Sequence, residues 1–182
     1  MNDGDIMVNY RELSEAEITK ALFFRFIRRQ EVTDVWRREN GELVIKSEPF
    51  IDDWSAEDYD FLVKCLRHTV SSGGFVYGAF ADGSLKGFVS VEAELFGGEN
   101  RYLDLSSIHV SEDMRGEGIG RALFGAACRW AKSHGARKLY ISSHSAVETQ
   151  SFYKSMGCAE AALYNKEHVE KEPFDVQLEK RL

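Results

Sequence analysis

Between residues 102 and 135 the chain runs from an apolar strand through a glycine-rich loop into an amphipathic helix, and this succession constrains the fold most. Tyr102 to Val110 is predicted to be a strand. From Gly118 onward, apolar residues recur at helical spacing, at Ile119, Ala122, Leu123, Ala126, Ala127 and Trp130. The helix is predicted to end at His134-Gly135, a basic residue followed by glycine. Such a succession favours a sheet covered by helices.

The loop itself, Arg115-Gly116-Glu117-Gly118-Ile119-Gly120, has the properties of a phosphate site. Glycine at every second position lets the backbone approach a bulky group without interference from a Cβ atom. The N–H groups at the start of the helix are free, and the helix dipole adds partial positive charge there. Arg115 and Arg121 flank the loop and could offer charge to the same anion.

Spacing excludes two familiar phosphate motifs. The dinucleotide-binding motif G-x-G-x-x-G would need glycine where the chain has Arg121 or Leu123. A P-loop needs a Gly-Lys pair followed by Ser or Thr, and the sequence contains none. On the loop alone, a glycine-rich turn without any ligand stays open as an alternative.

The 182 residues fit one compact domain spanning 1–182. Periodicity and turn signals predict an α+β fold with a mixed, mostly antiparallel central sheet and helices on both faces. The predicted elements are a strand at Ile6 to Arg11, a helix from Ser14 to about Arg29, an inserted hairpin within 31–51 that turns at Asn40-Gly41, a helix from Ser55 to about Ser72, strands at Phe75 to Ala81, Leu85 to Phe96 and Lys138 to Ser142, a helix at Val147 to Met156, and weaker strands at Ala161 to Tyr164 and Val176 to Leu178.

Composition limits the partners. A net charge of −7 argues against nucleic acid, because phosphate backbones attract basic surfaces. No apolar run approaches the roughly 18 residues that would span a membrane, so we expect no membrane segment. Cys65, Cys128 and Cys158 form no C-x-x-C pair and are expected to be reduced, buried thiols in a cytoplasmic protein. No His or Cys spacing resembles a metal site, so we expect chemistry without a metal.

Two motifs together resemble the GNAT superfamily of N-acetyltransferases. Arg115-x-x-Gly118-x-Gly120 after an apolar strand resembles the coenzyme A pyrophosphate motif of that family, carried here by residues 102–135. Phe152-Tyr153-Lys154-Ser155-Met156-Gly157-Cys158 resembles its F-Y-x-x-x-G-F segment, within 137–165. The resemblance implies direct transfer of an acetyl group from acetyl-CoA to a primary amine of a small molecule or peptide, without a covalent intermediate. Other acyl groups, a hydroxyl acceptor, or a non-catalytic module that binds coenzyme A stay open.

The resemblance also assigns roles to residues. The main chain of Ile108, His109 and Val110 would pair with the pantetheine arm. The pyrophosphate would be held by the backbone of the loop together with Arg121, that is by Arg115, Gly116, Glu117, Gly118, Ile119, Gly120 and Arg121. Tyr153 would act as the general acid for the leaving thiolate. One departure is Ala146, which stands where the family often has Asn, and Ser145 or Gln150 would have to replace its hydrogen bonds.

The proton acceptor is the least determined role. An alkyl amine of pKa about 10.4 costs roughly 4–5 kcal/mol to deprotonate at pH 7. Asp104 precedes Arg115 by eleven residues, where some family members have a catalytic glutamate. Strand alternation is expected to put Asp104 on one face with Ser106, Ile108 and Val110, acting through a water or else forming a strand-edge salt bridge. Other candidates are Glu92, Glu94, His109 and His144.

The hairpin from Val35 to Lys46 is the least family-like segment. Because specificity often resides on variable loops, our hypothesis is that it walls the acceptor side. The alternatives are that it covers the core or forms the contact of a possible homodimer.

Overall fold

The computed structural model describes residues 7–182 as an α+β fold built around one large sheet. In chain order its strands are β1 Asn9–Glu12, β2 Arg29–Glu39, β3 Glu42–Asp53, β4 Phe75–Ala81, β5 Ser84–Val91, β6 Tyr102–Val110, β7 Lys138–Ser143, β8 Ala159–Glu160 and β9 Val176–Arg181. Its helices are α1 Ala56–Ser71, α2 Ile119–Ser133, α3 Val147–Ser155 and α4 Lys166–Lys171. The large sheet has the order β1-β4-β5-β6-β7-β9-β8. Its neighbouring strands are antiparallel except β6 and β7, which are parallel.

Helices cover both faces of this sheet, as predicted. On one face α2 buries Leu123 and Ala127 against strand residues such as Leu139. On the other face Leu66 of α1 packs in a cluster with Phe88 of β5. Full burial of a leucine or phenylalanine side chain stabilises the fold by about 1.5–3 kcal/mol. Within residues 7–182, no helix is both long and apolar enough to cross a membrane.

The hairpin of β2 and β3 forms a separate two-stranded sheet. It turns at Asn40 and Gly41, whose φ angles of +50° and +87° confirm the predicted Asn-Gly turn. Both strands are longer than the sequence indicated. The hairpin docks on the loop after β7, because Val35 forms a bridge with Ala146 and Trp36 N–H donates to the Ser145 carbonyl at 2.8 Å.

The predicted helix from Ser14 to about Arg29 is wrong. The capping box exists, with Ser14 N–H donating to Glu17 Oε2 at 3.0 Å, but it closes only a short 3-10 turn. Ile18 and Thr19 are β-branched and extended, which ends that turn. A second short turn follows, and Phe23 is then buried in the cluster of Leu66 and Phe88, called here the α1-side cluster. Tertiary packing therefore overrides the local helix signal.

Smaller differences concern strand ends and one extra helix. The first strand is Asn9–Glu12 rather than Ile6 to Arg11, and Ile6 lies outside the described residues. The strand predicted to reach Phe96 ends at Val91. Ala161 to Tyr164 is not a strand, and the two-residue β8 lies just before it. Helix α4 was not predicted. Of the three cysteines expected to be buried, Cys65 is exposed, and Cys128 and Cys158 are partly buried. The predicted helices that became α1, α2 and α3 are confirmed, as is the strand Tyr102 to Val110.

Candidate active site

A cleft opens in the large sheet between the two parallel strands β6 and β7. They pair only from Tyr102 opposite Lys138 to Asp104 opposite Tyr140, although β6 continues to Val110. Beyond Asp104 the strands separate, and a cavity of 990 Å³ lies where the pairing ends. Its lining includes β6 from Leu105 onward, the glycine loop, and parts of β7 and α3.

The splayed part of β6 presents to this cavity main-chain groups that are not paired with β7. On its other side β6 pairs with β5, and Ser111 N–H donates to the Lys86 carbonyl at 2.8 Å. Because main-chain groups of successive residues point to opposite edges of a strand, those of His109 face β5. Those of Ile108 and Val110 therefore face the cleft. The Val110 carbonyl accepts a hydrogen bond from Arg115 Nε at 3.4 Å, and the Ile108 groups and the Val110 N–H could pair with an extended ligand.

The glycine loop ends at the start of α2 with free N–H donors. Gly116 and Gly118 have φ angles of +86° and +78°, in the left-handed region that favours glycine. Gly118 is the N-cap of α2 and supplies no capping side chain. The first helical hydrogen bond runs from Ala122 N–H to the Gly118 carbonyl at 3.1 Å. The N–H groups of residues 119–121 thus remain available to an anion.

Side chains around the loop fix its position against neighbouring elements. Arg115 Nη2 donates to the Arg29 carbonyl at 2.6 Å, which ties the loop to the base of the hairpin. A Cβ atom on Gly120 would lie 3.2 Å from the Phe152 ring, so α2 starts in close contact with α3. Arg121 lines the cavity, whereas Glu117 is exposed and does not line it. Both sequence motifs therefore meet at one cavity.

Tyr153 lies on α3 with only 5% of its surface exposed, and it lines the cavity. Burial raises the pKa of its hydroxyl well above the ordinary value, and the nearby Cys158 and Asp175 raise it further. Its hydroxyl makes no hydrogen bond to any other part of the chain between residues 7 and 182. The group is thus protonated at neutral pH and free to donate into the cavity.

Asp104 is paired elsewhere. Its Oδ2 lies 2.6 Å from His168 Nε2 on α4, and this hydrogen bond is the largest cause that raises the pKa of His168. Asp104 does not line the cavity. In the structure Asp104 therefore forms a salt bridge, which was the alternative to a role as proton acceptor.

A β-bulge explains why Asp104 points away from the cleft. Between the paired residues Leu105 and Ser107, β6 carries one extra residue, Ser106, that has no counterpart on β5. A bulge of this kind reverses the alternation of side chains along the strand. Leu105 and Ile108 accordingly pack in the same cluster on the α2 face. The expectation that Asp104 shares a face with Ile108 and Val110 was wrong.

Two other carboxylates that the sequence singled out also lie outside the cavity. Glu92 Oε1 accepts hydrogen bonds from Thr69 Oγ1 at 2.8 Å and Ser106 Oγ at 2.6 Å. Glu94 is exposed beyond the end of β5. His144 does line the cavity, and its Nδ1 accepts a hydrogen bond from Ala146 N–H at 3.1 Å.

Asp175, just before β9, lines the cavity and was not predicted. Its Oδ2 accepts a hydrogen bond from Ser142 Oγ at 3.1 Å. Burial is the largest influence on its carboxyl and raises its pKa above the ordinary value, with Glu172 adding to the rise. No motif marks this residue in the sequence, because it reaches the cavity only through the pairing of β9 with β7.

The packing of the loop after β7 accounts for alanine at position 146, where the family often has Asn. Ala146 is fully buried and packs against Val32 and Val35 of the hairpin, where a larger polar side chain would be confined. Gln150 Nε2 donates to the His144 carbonyl at 2.8 Å and to Ser143 Oγ at 2.8 Å. Gln150 therefore provides hydrogen bonds to this loop, while the small side chain of Ala146 leaves room for the hairpin.

His109 is enclosed on the hairpin side of β6. Its Nδ1 accepts a hydrogen bond from Arg28 Nε at 3.2 Å, and its ring packs edge-on against Trp54 at 4.7 Å between centroids. Burial, followed by the charges of Arg28 and Arg115, lowers the pKa of His109 to about 3. The side chain is therefore neutral in the folded protein at neutral pH.

We expect the free energy of unfolding to fall below about pH 6.5, by up to about 1.4 kcal/mol per pH unit. The reason is that the unfolded chain protonates His109, while the folded chain does not until the pH nears its folded pKa of about 3. Denaturant unfolding at pH 7, 6 and 5 measures this slope. His109→Gln should flatten it, and the exposed His68→Gln should keep it. An unchanged slope in His109→Gln would refute the assignment.

No group of three or more His, Cys, Asp or Glu side chains within residues 7–182 is arranged to hold a metal ion. The cavity is lined by main-chain donors, glycines, Arg121, Tyr153 and the polar side chains around Asp175.

The chain is similar to one known protein family and to several solved structures. Residues 23–158 match the model of the Acetyltransferase (GNAT) family. The crystal structure of nourseothricin acetyltransferase has a TM-score of 0.68 at 22% identity, over 96% of this chain and 98% of that chain. A candidate streptothricin acetyltransferase from Bacillus anthracis, in complex with acetyl coenzyme A, has a TM-score of 0.70 at 15% identity, over 96% of each chain.

The PaiA N-acetyltransferase of Thermoplasma acidophilum, in complex with coenzyme A, is also similar. Its TM-score is 0.60 at 14% identity, over 97% of this chain and 100% of that chain. A search of curated protein sequences returned no match. At these identities the structural likeness concerns the fold alone.

Proposed function

Because the chain belongs to the GNAT family of acetyltransferases, we propose that it transfers an acetyl group from acetyl-CoA to a primary amine of a small molecule or peptide. The observation that carries this proposal is the shared cavity. Unpaired β6 main chain, the glycine loop at the start of α2, and the unbonded hydroxyl of Tyr153 all border it.

The lining fits acetyl-CoA, which supplies the acetyl group as a thioester. Ile108 offers a main-chain donor and acceptor, and Val110 a main-chain donor, to an extended, amide-containing arm. The loop offers free N–H groups, and a Cβ atom placed on Gly116 or Gly118 would meet nothing within 4 Å, which leaves room for a phosphate. Arg121 adds positive charge next to this loop.

The proposed chemistry is direct transfer. A neutral amine attacks the thioester carbonyl, and a β6 main-chain N–H near Val110 polarises the carbonyl oxygen. As the new C–N bond forms and the C–S bond breaks, Tyr153 donates its proton to the sulfur. The hydroxyl of Tyr153 suits this role, because burial keeps it protonated at neutral pH.

The role of Asp104 as the proton acceptor stays a prediction. Its carboxylate contacts His168 rather than the cavity, so a proton would have to reach it through that histidine. The hairpin is proposed to wall the acceptor side, supported by the contact of Phe50 with the ring of the cavity-lining His144 at 5.7 Å between centroids.

A thiol-release assay with acetyl-CoA tests the proposed reaction. The acceptor panel contains polyamines, aminoglycosides, amino acids and peptide N-termini, together with nourseothricin and streptothricin, and alcohols of matched shape serve as controls. We expect thiol release that depends on an amine, with one acetyl group added to the acceptor by mass. Turnover of the alcohols alone would replace N-transfer by O-transfer. Binding of acetyl-CoA without turnover across the panel would favour a non-catalytic module.

A further inference from the structure

We infer that Asp175 is the group that accepts the proton from the acceptor amine, an inference that rests on the proposed transfer to an amine. Four acidic residues of the described chain line the cavity, and three of them, Glu31, Glu148 and Glu172, are exposed. Asp175 is the half-buried one. It is therefore the carboxylate that water screens least and that can act most strongly on a bound ammonium group.

A chain of hydrogen bonds holds Asp175 in place. Tyr140 hydroxyl donates to Gln177 Oε1, and Gln177 Nε2 donates to Ser142 Oγ at 3.0 Å. Ser142 Oγ in turn donates to Asp175 Oδ2 at 3.1 Å. Tyr140 and Gln177 are buried, so the chain is anchored in the fold. One carboxylate oxygen is thus fixed on the β7 wall, and Oδ1 is left for a ligand.

The titratable groups around Asp175 come from three neighbouring elements. Glu172 and His168 belong to α4 and its end, His144 to the loop after β7, and Tyr153 to α3. Burial is the largest of the influences and raises the pKa of Asp175. A carboxylate with a raised pKa takes a proton from an ammonium group less unfavourably than an ordinary aspartate does.

With Asp175 near Tyr153, two residues carry out the two proton transfers of the reaction. The amine arrives as an ammonium ion, and Asp175 takes one proton from its nitrogen, which frees the lone pair for attack. The C–N bond forms, the C–S bond breaks, and Tyr153 gives its proton to the sulfur. The second nitrogen proton then passes through solvent to restore Tyr153, and Asp175 loses its proton to solvent. The net products are the acetylated amine, the free thiol and one proton.

The test is the pH dependence of turnover in Asp175→Asn, using an amine that the wild-type enzyme acetylates. At pH 7 we expect kcat/KM to fall about 100-fold. The deficit should narrow to within about fivefold at pH 9.5, because an amine of pKa about 10.4 is increasingly neutral there. Asp175→Glu should recover part of the activity at pH 7. Melting temperature and acetyl-CoA affinity of each variant report whether the fold and the cofactor site are intact.

Two matched variants make the result decisive. Glu170→Gln removes an exposed carboxylate of α4 that does not line the cavity, and it should keep the wild-type pH profile within about threefold. His144→Asn tests the competing base on the facing loop. A uniform loss at every pH in Asp175→Asn, no loss at all, or a pH-dependent loss in His144→Asn instead, would overturn the inference. Absence of turnover in the wild-type protein would overturn the proposed function itself.

Discussion

Replacing Gly118 by alanine is expected to weaken acetyl-CoA binding about 100-fold while costing the fold only about 1–2 kcal/mol. Gly118 has a φ angle of +78°, and a Cβ atom there would meet nothing within 4 Å, so the cost comes from backbone strain rather than a clash. To relieve the strain the loop must rotate, which turns the N–H groups of the first α2 turn away from the pyrophosphate. Each lost hydrogen bond to a charged group costs about 1.5–3 kcal/mol.

Gly83 offers a matched control for this variant. It lies in the turn between β4 and β5, has a φ angle of +72°, and likewise has open space at its Cβ position. Gly83→Ala should therefore lower the melting temperature about as much as Gly118→Ala and leave acetyl-CoA affinity unchanged. Titration calorimetry and thermal melting measure both quantities. Equal affinities in the two variants would show that the loop does not bind the cofactor.

Replacing Tyr153 by phenylalanine is expected to lower kcat about 100-fold, at the lower end of the usual range for a general acid. A thiol of pKa about 8.5 is a tolerable leaving group, which limits the benefit of protonating it. Acetyl-CoA affinity should change by less than about threefold. The fold should hardly respond, because the Tyr153 hydroxyl has no hydrogen-bond partner in the described part of the chain.

Tyr77→Phe is the control for Tyr153→Phe. Tyr77 is a half-buried tyrosine on β4 that does not line the cavity. Its variant should keep wild-type kcat, so that the loss in Tyr153→Phe can be assigned to the position and not to the removal of a hydroxyl. Steady-state thiol release at saturating acetyl-CoA gives the values. Wild-type turnover in Tyr153→Phe would remove the tyrosine from the mechanism.

The parts of the fold that local chemistry determines could be predicted from the sequence. The α2 helix follows from its apolar periodicity, and the hairpin turn follows from the freedom of Asn40-Gly41 to adopt positive φ angles. The glycine loop could be predicted for the same reason, since its spacing and its place before α2 are both local properties.

What the sequence could not show depends on contacts between distant segments. The capping box at Ser14 is real, but burial of Phe23 in the α1-side cluster decides the path of the chain after it. The extra residue Ser106 becomes visible only once β5 is paired with β6, and it reverses the side on which Asp104 lies. Asp175 enters the cavity through the pairing of β9 with β7.

Thermal unfolding with and without acetyl-CoA tests the central claim most directly, namely that the cleft between β6 and β7 binds this cofactor. At 100 times its Kd, acetyl-CoA should stabilise the protein by about 2.7 kcal/mol. For a domain of this size the melting temperature should then rise by roughly 5–11 °C. An unchanged melting temperature at every acetyl-CoA concentration up to about 1 mM, the upper end of ordinary substrate KM values, would contradict the claim.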